Sequence, residues 1–141
     1  MTELEIFNSN KLIAEFMGVK PCKKHPDKQC FLTIKDNKHS NLQYFHLLKY
    51  HKSWDWLMPV IDKIESLDLR KNGYDFPKVK FLGDHVEIFA YSEYRSDYVY
   101  WKEWMDIAGN WHKHVHQTNS KIEAAYQVVV EFIKWYNSEK K

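Results

Sequence analysis

The segment at 120–136 constrains the fold more than any other part of the chain, because its apolar residues recur with the period of an α-helix. Ser120 and Glu123 stand three residues apart, as the two residues of a helix-capping box do. Val130 and Trp135 lie at the margins of the apolar face, so we expect this helix to be buried on more than one side. The face itself consists of Ile122, Ala125, Tyr126, Val129, Phe132, Ile133 and Tyr136.

Two shorter helices are predicted nearer the beginning of the chain. The first follows capping residues at 8–10 and ends before Gly18, where a left-handed residue commonly closes a helix. The second follows Ser53 and contains Pro59, so either the regular helix begins near Pro59 or a first turn from Ser53 bends there. The apolar face of this second helix is expected to hold Trp54, Leu57, Met58, Ile61 and Ile64.

The segments between these helices alternate apolar and polar residues, as β-strands do. We expect strands at 30–35, 42–48, 79–82, 85–91, 98–104 and 111–116. Gly83 and Asp84 separate two of them and suit a two-residue hairpin with a type II′ turn. The alternation puts one set of side chains on each face of a strand. It separates Val86, Ile88 and Ala90 from Glu87, Phe89 and Tyr91, and Tyr98, Tyr100 and Lys102 from Val99, Trp101 and Glu103.

Helices separated by groups of strands indicate an α+β fold with the helices packed on an antiparallel or mixed sheet. The chain has 141 residues, so we expect a single domain over 1–141. Hydrophobic residues make up 44% of the chain and charged residues 28%, values that argue against disorder. Only four Gly and four Pro are present, which argues against flexible linkers and glycine-rich phosphate loops.

Charge, cysteine content and hydropathy exclude further classes of protein. The net charge is +2, which by itself does not indicate a nucleic-acid binder. Two cysteines do not form a disulfide framework in a chain of this length. The N-terminal residues lack the apolar core of a signal peptide, and no apolar run reaches membrane-spanning length. We therefore expect a cytoplasmic protein with no membrane partner.

Three segments carry a resemblance to a known family. They read NKLIAEFMG at 10–18, HKSWDWLMPVIDKIE at 51–65 and KIEAAYQVVVEFIKWYN at 121–137. Together they resemble the phage ABA sandwich domain family, which consists of small phage- and prophage-associated proteins of Bacteroidetes bacteria. The resemblance implies a three-layer α/β/α sandwich with about three helices, and a protein that acts in the cytoplasm of a bacterial host cell. It implies no reaction and no functional residues.

Two groups of residues have the side chains that bind zinc. His112, His114 and His116 alternate along a predicted strand, so their imidazoles would share one face. A separate group of thiol and imidazole ligands consists of Cys22, His25 and Cys30. The alternatives are a solvated strand face for the first group, and a free thiol, a buried thiol and a loop histidine for the second. No cofactor is expected, and zinc is the alternative that either group would hold.

Catalytic signatures are absent from the sequence. It contains no HExxH, no nucleophile-elbow GxSxG and no Walker loop. His51, Ser53 and Asp55 are residue types of a catalytic triad, but a triad depends on convergence in space rather than on neighbourhood in sequence. A helix cap at Ser53 and an acidic residue in the first helical turn account for the same residues. The sequence therefore favours a protein that is not an enzyme.

Aromatic residues make up 16% of the chain, and many of them are gathered with cations in one stretch. Such residues stack nucleic-acid bases or form protein interfaces, unless helices bury them. The stretch contains Tyr91, Tyr94, Arg95, Tyr98, Tyr100, Trp101, Lys102 and Trp104. We favour an interaction module that binds a host or phage protein or a second copy of itself. The alternatives are a metal-binding protein or metal-dependent hydrolase, and a protein that binds single-stranded nucleic acid.

Overall fold

The computed structural model describes residues 2–21, 30–32, 42–44, 48–104 and 120–139, which form an α+β fold. The chain divides into two compact units, Met1–His51 and Lys52–Lys141. The α-helices of the described residues are α1 (Glu3–Phe16), α2 (Trp54–Ser66) and α3 (Lys121–Glu139), and a 3₁₀ helix spans Arg70–Asn72. The strands are β1 (Lys20–Pro21), β2 (Cys30–Leu32), β3 (Leu42–Tyr44), β4 (Lys78–Phe81), β5 (His85–Ser92) and β6 (Asp97–Trp104). The α+β class and the three helices are confirmed, and the three-layer arrangement stays a prediction.

The first helix, α1, begins earlier than the capping residues at 8–10 predicted. Its N-cap is Thr2, whose Oγ1 accepts a hydrogen bond of 3.1 Å from the Glu5 amide. Glu5 Oε2 in turn accepts one of 2.9 Å from the Thr2 amide, which completes a capping box. These bonds satisfy two amides that would otherwise lack a partner, and they explain why the helix starts at Glu3.

The end of α1 agrees with the prediction at Gly18. Gly18 has φ +86°, and its amide donates to the Glu15 carbonyl at 3.0 Å. The Val19 amide donates to the Ala14 carbonyl at 2.9 Å. This pair of bonds is a Schellman motif, which requires a left-handed residue at the position that glycine fills.

The first unit also contains a small antiparallel sheet in the order β1, β2, β3. Phe31 is opposite Pro21 on one side and Gln43 on the other. A buried polar contact lies beside α1, where Asn10 Nδ2 donates to the Leu48 carbonyl at 3.3 Å and lies 3.0 Å from His51 Nδ1. The described part of this unit thus combines one helix with three short strands.

The second helix, α2, continues through Pro59. It begins directly after Ser53, so the alternative in which it starts near Pro59 is wrong. Ser53 occupies the N-cap position, but its hydroxyl makes no capping hydrogen bond. Trp54 and Met58, which were expected on the apolar face, are 37% and 40% exposed. The buried face consists of Leu57, Val60, Ile61 and Ile64.

The second unit is built on an antiparallel sheet in the order β4, β5, β6. Leu82, Gly83 and Asp84 join β4 to β5, and the Leu82 amide donates to the His85 carbonyl at 2.9 Å, so Gly83 and Asp84 form a two-residue hairpin tip. The hairpin is therefore confirmed. Its predicted type II′ turn is wrong, because that turn requires a positive φ at Gly83, and the described glycines with positive φ are Gly18 and Gly73.

One face of this sheet is covered by α3, which packs across β5 and β6. The Phe132 ring meets the Trp101 ring edge-on, with centroids 5.0 Å apart. Ser120 Oγ accepts a hydrogen bond of 3.2 Å from the Glu123 amide at the start of the helix. The prediction that α3 is buried on more than one side is confirmed. Its buried residues are Ala124, Ala125, Tyr126, Val128, Val129, Val130, Phe132 and Ile133.

Candidate functional site

The sheet of the second unit presents a second face on the side away from α3. Cross-strand pairing assigns side chains to it, because residues directly opposite one another in an antiparallel pair lie on the same face. Trp101 packs against α3, and its strand neighbours Tyr100 and Lys102 therefore belong to the opposite side. We call this side the open face. It holds the side chains of Lys78, Lys80, His85, Glu87, Phe89, Tyr91, Tyr98, Tyr100 and Lys102.

Four aromatic rings form a continuous cluster on the open face, which we call the aromatic platform: Phe89, Tyr91, Tyr98 and Tyr100. Phe89 has ring centroids 5.9 Å from Tyr98 and 6.0 Å from Tyr100. Tyr91 lies 5.4 Å from Tyr98. Tyr98 and Tyr100 are 48% and 49% exposed, so about half of each side chain is available to a partner.

Three lysines adjoin the aromatic platform. Lys78 is directly opposite Phe89, and Lys80 and Lys102 are opposite Glu87 on either side of the central strand. All three lysines are exposed. Lys102 Nζ also lies 4.7 Å from the centroid of the Tyr100 ring, a cation–π contact between one of these lysines and the aromatic platform. The open face therefore combines half-exposed rings with exposed positive charges.

A buried carboxylate and a buried imidazole lie on the open face beside Lys80 and Lys102. Glu87 is 7% exposed and His85 is 9% exposed. His85 Nε2 lies 3.3 Å from Glu87 Oε2, and His85 Nδ1 lies 2.7 Å from Asp84 Oδ1. Lys102 Nζ lies 3.7 Å from the same Glu87 oxygen. The carboxylate is thus held in place from two sides.

A four-residue turn between β5 and β6 lies beyond the aromatic end of the face. The Arg95 amide donates to Ser92 Oγ at 3.3 Å, and Ser96 has a left-handed φ of +53°. Tyr94 is 82% exposed, and its ring rests so close to Gly73 that a Cβ there would lie 2.2 Å from Tyr94 Cε2. The turn therefore presents Tyr94 and Arg95 to solvent near the platform.

The structure distributes the predicted aromatic and basic stretch over β5, the following turn and both sides of β6. Tyr91, Tyr98, Tyr100 and Lys102 lie on the open face. Tyr94 and Arg95 lie in the turn, and Trp104 ends β6 opposite His85. Trp101 lies on the other side of the sheet, where it contacts Phe132 and Trp135. It therefore belongs to the packing under α3 and not to the open face.

Lys78, Lys80, Glu87 and Phe89 belong to the open face, although the sequence did not suggest them as site residues. They lie on β4 and β5 and not in the predicted aromatic and basic stretch. The available signal was the two-residue Gly83–Asp84 loop, which sets the register of the hairpin and hence brings the lysines beside Phe89 and Glu87.

The predicted zinc groups fall on other parts of the chain. His112, His114 and His116 lie outside the described residues, as do Cys22 and His25. Cys30 belongs to β2, where its backbone pairs with Tyr44. Within the described ranges, no three His, Cys, Asp or Glu side chains are arranged to hold a metal ion. Zinc binding by either group stays a prediction.

Comparisons of the chain with protein-family models, with curated proteins and with solved structures found no match. Of the helices in the described part of the chain, none combines the length and the apolar character that crossing a bilayer requires. A function for this chain therefore has to be inferred from the chemistry of the open face.

Proposed function

We propose that the open face binds single-stranded nucleic acid. Bases would stack on the aromatic platform, and phosphates would approach Lys78, Lys80 and Lys102. The observation that carries this proposal is the presence of four contiguous rings and three exposed lysines on one side of one sheet. Proteins that bind single strands combine aromatic stacking surfaces with positive charges along the path of the backbone.

The half-exposed tyrosines support stacking as the source of affinity. Every base offers a π face, so stacking tolerates any sequence and contributes about 1–3 kcal/mol per base. Tyr98 and Tyr100 lie 6.2 Å apart and are tilted by 43° to each other, so they present two separate ring surfaces. The open face could therefore hold more than one base at a time.

The lysines favour binding of single-stranded nucleic acid over binding of a protein, which the sequence favoured. Tyrosine is common in both kinds of interface, but lysine is depleted where proteins bind proteins. Among the described residues of β4, β5 and β6, the open face carries three lysines against one carboxylate, Glu87, while Asp84 adjoins the face through His85. Although the whole chain has a net charge of only +2, the local excess of cations is complementary to a phosphate backbone.

We also propose that the chain belongs to the phage ABA sandwich domain family, with a three-layer α/β/α arrangement. Such a protein would be phage- or prophage-associated and would act in the cytoplasm of its bacterial host. The segments that carry the resemblance support this proposal, because 10–18 falls on the second half of α1, 51–65 on α2 and 121–137 on α3. Binding of single-stranded nucleic acid would then be an activity of a phage-derived protein.

The proposal is tested by fluorescence anisotropy with a labelled single strand of mixed sequence. We expect the double variant Tyr98→Ala, Tyr100→Ala to bind at least about tenfold more weakly than the unaltered chain, because two stacking surfaces are lost. The matched control is Trp54→Ala. Trp54 is 37% exposed and contacts Phe81 on the helix-covered side of the sheet, so its loss should leave binding unchanged.

Two results would contradict the proposal. One is absence of binding at low salt, and the other is an equal loss of affinity in the control and the double variant. Saturable binding of a purified protein partner that requires Tyr98 and Tyr100, with no binding of the single strand, would instead support the protein-interaction module.

A further inference from the structure

We infer that Glu87 makes the open face select cytosine over thymine and uracil. This inference rests on the proposed function, since it assigns base preference to a surface that binds single strands. An acidic group among the lysines repels phosphate, so a purely non-specific binder would gain nothing from Glu87.

Glu87 has one oxygen engaged and one available. Its Oε2 lies 3.3 Å from His85 Nε2 and 3.7 Å from Lys102 Nζ. Within the described residues, Oε1 accepts no hydrogen bond, and it is not among the side-chain oxygens closed off from solvent. The carboxylate is therefore oriented by two neighbours, and although Glu87 is only 7% exposed, it retains one acceptor that is not fully closed off from solvent.

The accessible oxygen lies next to the aromatic platform. Phe89 follows Glu87 on the same face of β5, and the Phe89 ring is 6.0 Å from the Tyr100 ring. Lys102, which contacts the Tyr100 ring, also approaches Glu87. A base stacked on Phe89 or Tyr100 would bring its polar edge within reach of Glu87.

The chemistry of that edge determines the preference. An ionised carboxylate accepts hydrogen bonds and donates none. Cytosine presents an amino donor at position 4, whereas thymine and uracil present a carbonyl acceptor there. Glu87 would therefore form a charge-assisted hydrogen bond with cytosine and repel the carbonyl of the other two bases.

The inference is tested with two short single strands, one of 5-methylcytosine and one of thymine. Both bases carry the same methyl group, so their stacking is closely matched, while position 4 offers a donor in one and an acceptor in the other. We expect the unaltered chain to bind the 5-methylcytosine strand about tenfold more tightly. In Glu87→Gln the preference should be lost, so that the two strands bind with about equal affinity. Affinity for the thymine strand should be retained or rise, because a repelling charge is removed.

The matched control is Glu93→Gln. Glu93 is an exposed carboxylate in the turn between β5 and β6, so this variant removes the same charge and should keep the tenfold preference. If Glu87→Gln fails to fold by circular dichroism, Glu87→Asp takes its place. That variant keeps the charge but withdraws the acceptor by one methylene, and it should also reduce the preference.

The possible failures are distinguishable. Equal binding of both strands by the unaltered chain would overturn the role of Glu87 and leave the proposed function intact. An unchanged preference in a folded Glu87 variant would overturn it as well. Absence of binding to either strand would overturn the proposed function itself.

Discussion

At the scale of single residues, and among those that the structure describes, Asp68 in the loop after α2 has a strongly lowered pKa. Arg70 Nε lies 2.9 Å from Asp68 Oδ1, and one terminal guanidinium nitrogen lies 2.7 Å from Oδ2. The Arg70 amide also donates to Oδ1 at 3.1 Å. These hydrogen bonds, first of all that of the Arg70 side chain, lower the pKa of Asp68 to about 2.

We predict that Arg70→Ala returns the pKa of Asp68 toward the ordinary value of 3.8. A carboxylate with a lowered folded-state pKa stabilises the fold above its unfolded pKa, and this contribution is lost as pH falls through about 2. Both side chains are exposed, so the effect on stability should be small and weakened by salt. Titration of the Asp68 carboxyl by NMR measures the shift. A midpoint near 3.8 in the unaltered chain would contradict it.

At the scale of secondary-structure elements, α3 provides much of the packing under the second sheet. Phe132 is fully buried, and its ring lies 5.0 Å from Trp101 and 5.7 Å from Trp135. Tyr136 stacks almost parallel to Phe132, with centroids 6.4 Å apart. Phe132 therefore connects the helix to β6 through aromatic contacts.

We predict that Phe132→Ala destabilises the chain by about 3–5 kcal/mol, because it removes a buried ring and leaves a cavity. Glu131→Ala is the control. Glu131 is exposed on the same helix, and its loss should change the free energy of unfolding by about 0.5 kcal/mol or less. Urea denaturation measures both variants. A loss below about 1 kcal/mol in Phe132→Ala would show that α3 is not packed on the sheet through this residue.

The elements differ in how far the sequence could predict them. The buried face of α3 and the alternation along β6 follow from periodicity within one segment, so both were predictable. The course of α2 through Pro59 and the exposure of Trp54 were not, because they depend on what packs against the helix. The early start of α1 was predictable as well, because Thr2 and Glu5 have the spacing of a capping box.

The candidate site was predictable where its residues share one strand, and not where they come together from different strands. Tyr98, Tyr100 and Lys102 belong to one strand, so alternation alone grouped them. Lys78 and Lys80 join them only through the cross-strand register of the sheet. Alternation separates Trp101 from Tyr100 and Lys102, but its burial was not predictable, because that depends on α3 covering its side of the sheet.

At the scale of the whole molecule, the distribution of charge matters more than its total. The chain has 21 basic and 19 acidic side chains when the histidines are neutral. General attraction between the protein and a polyanion is therefore weak. A single strand should be held by the lysines of the open face together with the aromatic platform, and the electrostatic part of the affinity should depend on those lysines alone.

The dependence of single-strand affinity on salt tests this central claim most directly. Three phosphate contacts predict a slope of about −2 in a plot of log K against log salt concentration. The triple variant Lys78→Gln, Lys80→Gln, Lys102→Gln should bind weakly with a slope near zero. The control variant Lys71→Gln, Lys121→Gln, Lys134→Gln removes three exposed lysines elsewhere and should keep the slope of about −2. Equal slopes in the two triple variants, or no measurable binding by the unaltered chain at low salt, would contradict the assignment of the open face.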